Sequence, residues 1–378
     1  MARVAEILQT LIRIPSVNPD GAPGSPDTGE NQLAQWLGRF LQEMGAQIAF
    51  EEVLPGRPNV FGHFGEFSQR KSRILLAPHT DTVGIENMTI PPFSGVIRDG
   101  RIFGRGSSDT KGTMAAMLAA LEAVGVERLA QLGCGVTFVG LIGEETGQYG
   151  SRHLAANHRN EYAFALVGEP TGCAIVHTHK GCTWLELETK GIACHGATPE
   201  RGRSAIFEML PVIVSVERDL RRLLESEKFS HAVLGGPTVN IGTIRGGTRP
   251  NIVPDRCAIE LDIRETPALH RHGVDRLLRE WLEQAHLATK VAMHSGLACA
   301  PLDTPADNPF VQKLARLGAP LVGAPWFSDA GWLWSEGGIP SVAAGPGSID
   351  QAHTADEFIE ITALEEGVDF YRRFLESL

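Results

Sequence analysis

Three stretches of the first half are apolar with almost no interruption: "RILLAPH" (73–79), "CGVTFVGLIG" (134–143) and the centre of "EYAFALVGEP" (161–170). Each has strand length, and a strand covered on both faces reads this way because neither set of alternating side chains meets water. Between the first two lies "DTKGTMAAMLAALEAV" (109–124), whose small and apolar residues recur at helical spacing. Strand, helix, strand in succession predicts an α/β fold: a mixed, mostly parallel sheet covered by helices. The N-terminal "MARVAEILQTLIRIPSVNP" predicts an amphipathic helix rather than a secretion signal, because charges sit among its apolar positions.

From about residue 181 the pattern changes. "CTWLELETKG" alternates like a half-exposed strand, "RSAIFEMLPVIVSVERDLRRLLES" reads as one long helix, "PTVNIGTI" and "RCAIELDIR" as strands, and "HRHGVDRLLREWLEQA" as a further helix. With a closing strand this is a βαββαβ, ferredoxin-like unit inserted into the first. After about residue 290, "DNPFVQKLARL", "GIPSVAAGPG" and the closing helix "TALEEGVDFYRRFLESL" return to the earlier style. The expected division is therefore residues 1–179 with 291–378 as one domain, and 180–290 as the other.

A chain of 378 residues is long enough for two cores. Its formal net charge of -11 argues against a phosphate-backbone partner, and no basic block offsets it. No apolar run approaches the length of a membrane span. Six cysteines without CxxC spacing predict free, reduced thiols, and with no export signal the expected compartment is cytoplasmic.

Polar residues of unusual chemistry follow the predicted strands, at the edge where open α/β sheets bind ligands. His79 ends one strand and Asp81 stands two residues on; Asp109 lies between a glycine-rich turn and a helix. Glu144 and Glu145 follow the next strand, Glu169 the one after, and His353 lies in "IDQAHTADE". Singly each has an ordinary reading: a satisfied histidine, an N-cap aspartate, a solvated acidic pair. No GxGxxG, GxxxxGK[ST] or GxSxG stretch supports a nucleotide fold or a serine nucleophile. Together, His79, Asp109, Glu145, Glu169 and His353 form an N/O ligand set that suits two zinc ions, or cobalt or manganese. With Asp109 as bridge, His79 and Glu169 complete one site and Glu145 and His353 the other. Two ions so held would activate a shared water, and Glu144 is the carboxylate left over.

The stretches "HTDTV", "GRGSSDTKG", "GEET", "VGEPT", "CHGATPERGRSAI", "PTVNIGTIRGG", "RPNIVPD" and "GPGSIDQAHTADE" resemble, in order and over nearly the whole chain, the M20 metallopeptidase family. The resemblance implies a zinc-exopeptidase-like catalytic domain with a lid that makes a homodimer. It implies that Asp81 orients His79, that Glu144 is the general base, and that a cis peptide follows Asp109. It adds His195, which would stabilise the oxyanion, usually in the partner subunit's site, and Asn251 and Arg264, which would hold a substrate carboxylate. A surface acid could equally claim Arg264. The substrate expected is an N-acyl amino acid, N-acetylornithine first; N-succinyl-diaminopimelate, a dipeptide, or a metal-poor binding role are the rivals. Thr110 stands where many relatives have Met, and Ser328 and Asp329 lie in a substrate-loop stretch without an assigned contact.

Overall fold

The computed structural model describes residues 2–22, 28–65, 72–288 and 290–378. The chain forms two compact units: Met1–Thr178 with Leu302–Gly323 and Ser328–Leu378, and His179–Pro301 with Ala324–Phe327.

In the first unit the strands Gly135–Gly140, Arg73–Pro78, Phe164–Gly168 and Ser341–Ala343 lie side by side and parallel. Antiparallel neighbours flank this core: the hairpin Gln47–Leu54 and Arg57–Phe64 on one side, Ile175–His179 on the other. The strand Arg73–Pro78 shows why its sequence is apolar throughout. Ile74 and Leu76 enter one core, beneath the helices Arg3–Ile12, Lys111–Val124 and Ile361–Glu376. Leu75 and Ala77 enter the other, against Leu154 and Leu333. Two-sided burial leaves only the strand ends for polar chemistry.

The second unit is a four-stranded antiparallel sheet in the order Thr238–Gly246, Arg256–Glu265, Gly181–Lys190, Val291–Cys299, which is the expected βαββαβ arrangement. Leu185, Leu187, Ile259, Leu261 and Ile263 face the helices, where Met209, Val212, Leu278 and Trp281 cover them. The change of pattern at residue 290 puts the boundary too early: Val291–Cys299 pairs with Gly181–Lys190 and belongs to this sheet. It is an edge strand with exposed residues at its centre, so its apolar signal is weak. Both long helices are also subdivided. Pro211 removes one helical donor and a π turn, Val216–Leu220, follows; Gly273 separates Pro267–His272 from Val274–Gln284.

Among the described residues no two cysteines form a disulfide. Among the described residues no helix is long and apolar enough to cross a membrane.

Candidate metal centre

Three neighbouring strand ends of the first unit, with two loops, build the candidate site. His79 follows the strand Arg73–Pro78 and is 2% exposed. Its Nε2 lies 3.0 Å from Asp109 Oδ1, and its Nδ1 lies 3.0 Å from the Asp81 carbonyl oxygen. The Asp81 carboxylate is farther from that ring, at 3.5 Å. It is occupied elsewhere: it accepts from the amides of Glu144 and Glu145, both at 3.0 Å, and from Asn18 Nδ2 at 2.7 Å. Asp81 thus fixes the imidazole chiefly through its backbone, and its side chain ties the His79 loop to the glutamate pair.

Asp109 stands between the imidazoles. His353 Nε2 lies 3.4 Å from Asp109 Oδ2 and 3.1 Å from Glu145 Oε2. The peptide after Asp109 is cis, as the motif implied. The loop is held by a residue that sequence reasoning missed. Buried Glu357 accepts from the amides of Gly106, Ser108 and Asp109 at 2.8 to 3.0 Å and pairs with Arg105 at 2.8 Å. It ends the very motif that supplies His353, and that position was the signal the sequence offered.

The two adjacent glutamates part, but not by strand alternation. The strand ends at Gly140; Gly143, with φ 72°, turns the chain, and Glu144–Thr146 form a 3-10 turn. From that turn Glu145 reaches His353, whereas Glu144 Oε1 accepts from Gln148 Nε2 at 3.0 Å. Glu169 follows the strand Phe164–Gly168, is 5% exposed, and has an Oε1 with no hydrogen-bond partner among the described residues. Glu145 Oε1 is likewise buried and unpartnered.

Charge crowding sets the protonation. Burial pushes the carboxyls of Glu144, Glu145 and Glu169 up, and their acidic neighbours add to it. Burial acts the same way on Asp109, but hydrogen bonds from His353 and His79 win and hold it well below the usual carboxylate range. Those contacts, first with Asp109 and then Glu145, push the His353 imidazole up to about 10. Burial opposes charge on His79, yet Asp109 and Asp81 raise it well above its ordinary value. Orphaned buried carboxylate oxygens beside two imidazoles, with no thiol, fit a divalent-cation donor set; ligand atoms of His79, Asp109 and Glu145 already lie within 4.8 Å of one another.

Asp329 is fully buried; its Oδ1 lies 2.5 Å from Ser151 Oγ, and burial pushes its carboxyl up to about 7. Ser328 is buried beside it.

The remaining three expected residues lie in the second unit. His195 and Asn251 are brought together: His195 bridges Ile252, and the Gly196 amide donates to the Asn251 carbonyl at 2.8 Å. A Cβ on Gly196 would stand 3.0 Å from that backbone, so only glycine fits without displacement. His195 Nδ1 accepts from the Ala197 amide at 3.1 Å, which leaves Nε2 as the donor of the neutral ring. Arg264 does have the acidic partner that alternation allowed: its Nε and Nη2 meet Asp262 at 2.9 and 3.0 Å, and its guanidinium lies over Phe327. One edge of the fork is taken, and Nη1 makes no hydrogen bond to an acid among the described residues.

The sequence profile of peptidase family M20/M25/M40 matches residues 75–377. The chain is 28% identical to acetylornithine deacetylase of Proteus mirabilis, covering 98% of this chain and 96% of that one. Its fold is similar to the M20 family metallo-carboxypeptidase Sso-CP2 of Sulfolobus solfataricus, with TM-score 0.78, 20% identity, and coverage of 100% and 99%. It is also similar to the YxeP protein of Bacillus subtilis, described as a dinuclear metal-binding peptidase of this family, with TM-score 0.70, 18% identity, and coverage of 99% and 97%.

Proposed function

Because the chain belongs to peptidase family M20/M25/M40 and is a metallohydrolase of that family, we propose that it hydrolyses the amide of an N-acyl amino acid, with N-acetyl-L-ornithine as preferred substrate. The products would be acetate and ornithine. The observation that carries the chemistry is the division within the glutamate pair: Glu145 lies against His353, and Glu144 stands apart with one carboxylate oxygen held by Gln148. The resemblance to acetylornithine deacetylase supports the substrate.

His79, Asp109 and Glu169 would hold one divalent ion, and Asp109, Glu145 and His353 the other. When bound, such ions would lower the pKa of a water and polarise the acyl carbonyl. Glu144 takes the proton from the attacking water and then delivers it to the departing amine, which a single carboxyl can do in turn. By the family resemblance, His195 would donate from Nε2 to the oxyanion formed in the partner subunit's site. Asn251 and the free edge of Arg264 hold the substrate's α-carboxylate, where a planar donor pair meets a planar acceptor.

The substrate test is direct. N-Acetyl-L-ornithine, N-succinyl-diaminopimelate and a dipeptide, offered in parallel to zinc- or cobalt-loaded protein, should give the highest kcat/KM for the acetyl substrate. Negligible acetylornithine turnover beside rapid hydrolysis of another would overturn the assignment and leave the hydrolytic reading in place.

We also propose that the second unit makes a homodimer. On the helix Ala205–Ser215, Phe207, Leu210 and Val214 are 73%, 50% and 56% exposed along one side, and Ile244 on the edge strand Thr238–Gly246 is 57% exposed. An unpaired strand edge beside an apolar helix face favours a second copy of itself. Light scattering should give twice the 40.8 kDa chain mass. Phe207→Glu should shift it to the monomer, and a monomeric wild type would contradict the proposal.

A further inference from the structure

Gln148 is a fully buried polar residue that touches Glu144 but takes no part in the proton transfers described above. Its backbone occupies the left-handed region, φ 54° and ψ 40°, which is uncommon for a residue with a Cβ. That turn brings its side chain back over the preceding four residues, so that Nε2 donates to Glu144 Oε1 at 3.0 Å. Its own amide donates to the Gly143 carbonyl at 2.7 Å, closing the loop that contains both glutamates.

The far side of the turn is tied down as firmly. The Gln148 carbonyl accepts from the Arg152 amide at 3.0 Å and from Ser151 Oγ at 3.1 Å. Ser151 Oγ also lies 2.5 Å from Asp329 Oδ1, and both residues are fully buried. The Ser151 hydroxyl donates to Asp329 and shares its one proton with the Gln148 carbonyl, so the serine ties the turn to the buried carboxylate. Ser151 and Asp329 thus hold the Gln148 backbone, and the Gln148 side chain is left to donate to the Glu144 carboxylate.

We propose that Gln148 is a positioning residue for Glu144, holding one carboxylate oxygen so that the other faces the water, with Ser151 and Asp329 fixing the turn from which Gln148 reaches. The inference rests on the reading of Glu144 as general base. A carboxylate free to rotate would present the reactive oxygen only part of the time. A neutral amide donor fixes it without adding a charge to a site already crowded with carboxylates.

Gln148→Met tests this, since methionine has similar length and the same backbone cost at this φ but cannot donate. With metal-loaded protein and the best substrate of the panel, kcat should fall about 10- to 100-fold, the range for lost supporting hydrogen bonds. KM and metal content should be unchanged. In a Glu144→Asp background, where the shortened carboxylate is out of reach, the same substitution should cost less than about threefold. Ser151→Ala should lower kcat in the same sense by a smaller factor. Wild-type kcat in Gln148→Met, a fall explained by lost metal, or an equal loss in both backgrounds would overturn the inference. Near-normal turnover in Glu144→Ala would instead overturn the general-base reading itself.

Discussion

Glu144→Ala should lower turnover by about 10⁴-fold, the upper end of what a positioned acid–base group contributes, because one carboxyl serves both proton transfers. The protein should keep its metal, since among the described residues Glu144 makes no hydrogen bond or ion pair with His79 or His353 and its carboxylate is engaged by Gln148. Glu145→Ala is the contrasting variant. Glu145 shares His353 with Asp109, so its loss should release the ion on the His353 side and lower activity by way of occupancy. Metal analysis beside steady-state kinetics separates the two. Similar metal contents and similar turnover in both variants would end the division of labour within the pair.

Replacing Asp109 should be as damaging for a different reason. Its two oxygens face different imidazoles, His79 at 3.0 Å and His353 at 3.4 Å, so among the described residues it is a carboxylate paired with both. Asp109→Ala should leave neither ion tightly held, and turnover should fall beyond about 10⁴-fold because cation and base both become ineffective. Asp109→Asn keeps the size and removes the charge; it should retain at most one ion per chain. Two tightly bound ions in either variant would show that Asp109 is not the bridge.

Much of the fold was legible because burial leaves a plain trace. Ile74 to Ala77 feed two cores by turns, so the strand had to be apolar throughout, and Leu185, Leu187, Leu261 and Ile263 alternate because only one face of their sheet is covered. Where neither condition holds, the trace fades. Val291–Cys299 lies at an edge with an exposed centre, so its pattern places it in the other unit, and the hairpin Gln47–Phe64, half exposed in its first strand, leaves no clear alternation.

The candidate site divides in the same manner. Ligand types at strand ends could be counted from sequence, and the structure brings His79, Asp109, Glu145 and His353 into contact. What holds them could not be counted. The Asp81 carboxylate grips two amides 63 and 64 residues away, and Glu357 grips three across some 250 residues, contacts that depend on the folded chain. Gln148 is nearer in sequence, but its reach depends on a left-handed turn that glutamine does not announce. Arg264 was ambiguous for a local reason: an acid two residues away on the same strand face competes for its fork.

The most direct test of the central claim is a metal titration followed by its effect on hydrolysis. Protein stripped with a chelator should lose N-acetyl-L-ornithine hydrolysis completely, and stepwise zinc or cobalt should restore it, reaching a plateau at two ions per chain. Undiminished hydrolysis by metal-free protein, or full metal loading without hydrolysis of any acyl amino acid offered, would contradict the account.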